Sequence, residues 1–94
     1  MDIPKSIRVG KRRYTIKQQH IDEPYTTGYT VNNLIVIATS NKTKHTTESE
    51  RALTFWHELT HVILDKVRPK LSTDERFVEH FAETIHQIVK SARF

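Results

Sequence analysis

The 94-residue chain has no cysteine, two glycines, three prolines and one tryptophan. Without cysteine there is neither a disulfide framework nor a thiolate-ligated metal site, so any metal must be held by histidine and carboxylate groups. The scarcity of glycine and proline, with no low-complexity stretch, excludes a disordered or fibrous composition. Long apolar runs are missing too. The longest, Leu34 to Ala38, cannot span a bilayer, and the opening "MDIPKSIRVGKRRY" lacks the apolar run of a signal peptide. The expectation is a soluble cytoplasmic protein of one domain, residues 1–94, without a membrane partner. At this size the core is modest, so a bound metal would matter for folding as well.

Charge is distributed unevenly. Residues 1–47 hold eight Lys or Arg against three Asp or Glu, whereas residues 48–94 hold seven against eight. A basic front half can attract an acidic or nucleic-acid partner. Apart from Tyr14 no aromatic is interleaved among these cations for base stacking, so they read as solvated faces of hairpin strands and nucleic acid is not expected as a partner.

Residues 1–40 read as β-hairpins. In "SIRVGKRRYTIKQ", Ile7 and Val9 alternate with polar neighbours, Gly10-Lys11 supplies a turn, and Tyr14 and Ile16 resume the alternation. In "GYTVNNLIVIAT", Asn32-Asn33 suits a tight turn before the run Ile35-Val36-Ile37, which is apolar on both sides and belongs inside a sheet or beneath a helix. Thr47 with Glu50 three residues on then makes a capping-box pattern, and Pro69 sets a far limit, predicting a helix over 47–67 of about five turns. Ala52, Leu53, Trp56, Leu59, Ile63 and Val67 follow its apolar spacing. Ser72 with Glu75 repeats the capping pattern and opens a second helix, 72–92, with apolar positions at Val78, Phe81, Ala82, Ile85, Ile88 and Val89. The predicted fold is α+β: a small antiparallel β-sheet of three to four strands packed on two α-helices.

"WHELTH", Trp56 to His61, lies in the first helix. Histidines at 57 and 61 are one helical turn apart on one face and can share a metal ion. Glu58 projects elsewhere, which suits a general base that takes a proton from water at the metal rather than a ligand. Composition alone would produce this spacing somewhere in about a few per cent of shuffled chains. Its surroundings add weight, because the helix is capped and amphipathic and uncharged residues flank the motif.

Catalytic zinc usually takes three protein ligands. No glycine and third histidine follow in "VILDKVRPK", so the third must come from the second helix, where Glu75, Glu79 and Glu83 stand at four-residue intervals. Their like charges are mutually unfavourable unless a cation offsets them. Glu75 has a competing task in the capping box, and Glu83 lies farther from the apolar stripe. Glu79 is therefore the expected ligand and Glu75 the next choice. His80 and His86 are spare candidates; His20 and His45 carry no motif. An oxyanion donor is also required, and Tyr25, Tyr29 and the spare histidines are the candidates.

With "HELTH" on one helix and "DERFVEHFAETI" on the next, the chain resembles the zincin metallopeptidases of the glutamate-third-ligand type, in particular the small ImmA/IrrE-like metallopeptidases of bacteriophage and prophage genomes. The resemblance runs from "IPKSIRVGKRRYTI" through "TFWHELTHVIL" to the acidic second helix. It implies a zincin-like domain with Zn²⁺ held by His57, His61 and Glu79, Glu58 as catalytic base, and a protein or peptide substrate, including a host or regulatory protein. The alternative expectation is a zincin-like binding or regulatory protein whose zinc is structural or vestigial.

Overall fold

The alternating pattern of the first hairpin becomes a strand pair. A computed structural model describes residues 2–93. In it β1 (Ser6–Val9) and β2 (Arg12–His20) pair antiparallel, with Ile7 opposite Tyr14, and Gly10 takes the turn at φ 65°, a conformation that costs glycine little. The second hairpin follows in the same way. β3 (Gly28–Val31) and β4 (Leu34–Ser40) pair antiparallel, and Asn32 enters the left-handed region at φ 51°, as the Asn-Asn turn predicted.

The sheet order is β1-β2-β4-β3, and β2 and β4 run parallel, with Ile16 opposite Ile35. The α+β architecture is as expected, but the all-antiparallel sheet is corrected to a mixed one. β4 is apolar on both faces and must be covered on both, so it takes a central position. β3, half polar, is left to the edge. Within β4, Ile35, Val36 and Ile37 are completely buried, each contributing about 1.5–3 kcal/mol of apolar burial. Ile35 and Ile37 join Tyr14, Ile16, Phe55 and Val62 between sheet and helix, whereas Val36 and Ala38 pack with Ile21 on the opposite side.

The first helix, α1 (Glu48–Val67), starts as the sequence predicts. Thr47 accepts a hydrogen bond from the Glu50 amide, and the Glu50 carboxylate accepts one from the Thr47 amide at 2.9 Å. Lys44 also pairs with Glu50. That contact first, then the backbone bond, holds the Glu50 carboxyl down at about 2. The helix buries a different set of side chains from the single predicted stripe. Phe55, Val62 and Leu64 are buried, while Ile63 and Val67 are exposed. The reason is that α1 packs against both the sheet and the last helix, so its contact arc is wider than one stripe.

A single-turn helix, α2 (Pro69–Ser72), precedes α3 (Glu75–Ser91). The predicted capping box of Ser72 and Glu75 does not form. Ser72 is buried inside α2, and Asp74 caps α3 by accepting from the Phe77 amide at 3.1 Å. α3 buries Val78 and Ala82 and leaves Phe77, Phe81 and Ile88 partly exposed. No helix among the described residues is long and apolar enough to cross a membrane.

Candidate metal centre

Helical periodicity places His57 and His61 on successive turns of α1, with ring centroids 5.0 Å apart. Their Nε2 atoms converge on one carboxylate, that of Glu75 in the first turn of α3. His57 Nε2 is 3.4 Å from Glu75 Oε2, and His61 Nε2 is 3.2 Å from Glu75 Oε1. One ligand atom from each of the three residues lies within 4.8 Å of the others, so the group could hold a metal ion. Donor atoms around a tetrahedral ion with bonds of about 2.0–2.1 Å lie roughly 3.3 Å apart. The two nitrogen–oxygen separations, each to a different oxygen of Glu75, are close to that spacing.

The chemistry of the donors also fits. Two imidazoles and one carboxylate form a nitrogen–oxygen set suited to a borderline divalent cation, not to a hard oxygen-only site. Ser72 orients one of them. Its Oγ lies 3.2 Å from His61 Nδ1 and 3.4 Å from the His61 carbonyl oxygen. If the hydroxyl donates to that carbonyl, it accepts from Nδ1–H, and the ring presents its Nε2 lone pair to the site. The sequence assigned Ser72 to a cap and did not foresee this role.

Glu79, the expected third ligand, is not part of the three-residue group. It lines the groove beside His57 and Glu58, together with Glu83, Thr27 and Gly28. Glu75 is available for the histidines because Asp74 has taken over the cap. His86 lies away from this cluster, 3.2 Å from the Ser49 hydroxyl. His20 meets the Ser40 hydroxyl at 2.8 Å on the far strands.

Glu58 is only 9% exposed and points away from the histidine pair toward the sheet. Its Oε1 accepts a hydrogen bond from the Thr30 hydroxyl at 2.7 Å. The residue lies at the junction of two surface depressions. One contains His57 and Glu79, and the other contains Arg12, Thr30, Asn32 and His61. The two depressions, which share Glu58 and flank β3, are together called the trough. Neither suggested tyrosine reaches it. Thr30 faces Glu58, so strand alternation turns Tyr29 to the opposite face, and Tyr25 is 80% exposed in a loop. Arg12 and Tyr14 line the trough instead.

The arrangement could therefore hold a metal ion near a buried carboxylate and an open groove. The chain matches no protein-family model, no curated protein and no solved structure.

Proposed function

We propose that the protein is a zinc-dependent metallopeptidase that hydrolyses a peptide bond in a protein substrate. The observation behind this reading is the convergence of His57, His61 and Glu75, with Glu58 lining the same depressions as the two histidines. A divalent ion held by those three residues would supply Lewis acidity toward a carbonyl oxygen and lower the pKa of coordinated water. Glu58 takes the proton of the attacking water and delivers it to the departing amine. His57 and His61 would not do this, because an ion held by the group would occupy their Nε2 lone pairs. β3 is an edge strand, so its outer N–H and C=O groups are free to pair with an extended substrate chain, giving affinity that does not depend on sequence.

The test is metal analysis of untagged protein, followed by peptide-library cleavage by the wild type and Glu58→Gln. One zinc per chain is expected in both, with turnover in the variant lower by about 10²–10⁴-fold. Equal cleavage by the two proteins would remove Glu58 from the mechanism. Metal without cleavage of any peptide would favour a binding protein.

A further inference from the structure

Glu58 is the most deeply buried carboxylate of the trough, and one of its oxygens is already engaged. The donor is Thr30, whose hydroxyl lies 2.7 Å from Oε1. Oε2 has no hydrogen-bond partner among the described residues and is not sealed from solvent. The carboxylate is therefore held asymmetrically, one oxygen tied to the strand and the other left for solvent.

Register explains how the strand reaches the helix. Residues two apart share a face of a strand, so Gly28 and Thr30 both look toward α1, opposite Ile37 and Ile35 of β4. Gly28 lies where α1 comes close to the strand. A Cβ at that position would sit 2.5 Å from Thr54 Cγ2 and 2.9 Å from the Val36 carbonyl oxygen. The Val36 oxygen is backbone and cannot yield without moving the strand, and Thr54 would have to leave its present rotamer. The missing side chain at 28 thus sets the short strand-to-helix distance that the hydroxyl at 30 spans.

We infer that Thr30 is a positioning residue for Glu58, fixing Oε1 so that Oε2 is the oxygen presented to water, with Gly28 holding β3 and α1 at the required separation. The inference rests on the peptidase reading for its catalytic meaning, but its geometry can be tested without turnover. A hydroxamic acid that chelates a metal ion gives up its proton, and a carboxylate placed beside the ion strengthens binding by accepting it, so acetohydroxamate affinity is sensitive to the placement of Glu58.

Thr30→Val keeps the branched shape and removes the donor, while Thr30→Ser keeps the donor and removes the methyl group. In the zinc-loaded protein, Thr30→Val is expected to weaken acetohydroxamate binding and lower kcat by about 10–100-fold, the range for loss of an outer-shell partner. KM should stay within about threefold, because the contact acts on the transition state and not on substrate binding. Zinc affinity and the melting temperature serve as controls and should change little. Thr30→Ser should recover most of both losses. Gly28→Ala should reproduce the Thr30→Val phenotype with the hydroxyl still present.

Wild-type kcat and hydroxamate affinity in Thr30→Val would overturn the inference and leave the peptidase reading intact. So would equal impairment of Thr30→Ser and Thr30→Val, which would indicate shape and not hydrogen bonding. Conversely, a wild type that binds zinc and hydroxamate in a Thr30-dependent way but cleaves no peptide would sink the peptidase reading and uphold the positioning role. A wild type that binds no zinc overturns both.

Discussion

The two long helices begin with the same signature, a hydroxyl residue followed three positions later by glutamate, yet only one of them uses it. At the start of α1, Thr47 and Glu50 exchange both bonds of a capping box. Before α3, Ser72 is buried against His61 and Asp74 caps in its place. Three residues that can cap, Ser72, Thr73 and Asp74, stand in a row, so local chemistry permits more than one start. Tertiary packing chooses among them. The choice matters for function, because a Glu75 not tied to a cap can reach the histidines.

The sharpest way to break this comparison is to remove Glu75 and Glu79, two of the three glutamates on α3, one at a time. Glu75→Ala should weaken zinc binding by more than about 100-fold, beyond the usual range for an outer partner, whereas Glu79→Ala should change it by less than about fivefold, the scale of a screened nearby charge. Competition titration against a chelator measures both, and the reverse order would return Glu79 to the ligand set. Next comes Ser72→Ala. If Ser72 orients His61, zinc affinity falls by about 10–100-fold while the far-ultraviolet helix signal is kept. A loss of helix with unchanged zinc affinity would instead make Ser72 a cap.

Capping itself has a smaller effect. Thr47→Ala and Asp74→Ala should each cost about 1 kcal/mol in urea denaturation, since each leaves a helix amide without its acceptor. Equal costs would show that the two starts differ in which residue caps, not in how strongly. The smallest effect concerns Glu50. The Lys44 contact holds its folded-state carboxyl down at about 2, below its ordinary value of 4.5, so the stability it contributes is present above about 4.5 and is lost as pH falls toward 2. Glu50→Gln should flatten that acid limb in pH-dependent melting, with its main effect confined to that window.

The strands, their turns and the first helix were legible because each signal is local. Gly10 and Asn32 sit where the backbone needs a positive φ, and Thr47 finds its partner three residues away. Sheet order was not local. Both hairpins were visible, but their joining through parallel β2 and β4 depends on β4 needing cover on both faces. The buried arc of α1 was also misjudged, with Ile63 exposed and Phe55 buried, because a single-stripe reading assumes one packing partner and α1 has two.

The pairing of His57 with His61, and the separation of Glu58 from both, follow from the sequence alone: a helix with about 3.6 residues per turn fixes which side chains share a face. Zero cysteines fixed the type of donor in the same way. Tertiary structure alone decided which glutamate meets the histidines and that Thr30 meets Glu58. Those contacts join separate elements, and their distances depend on how α2 turns the chain and how closely α1 crosses β3 at Gly28.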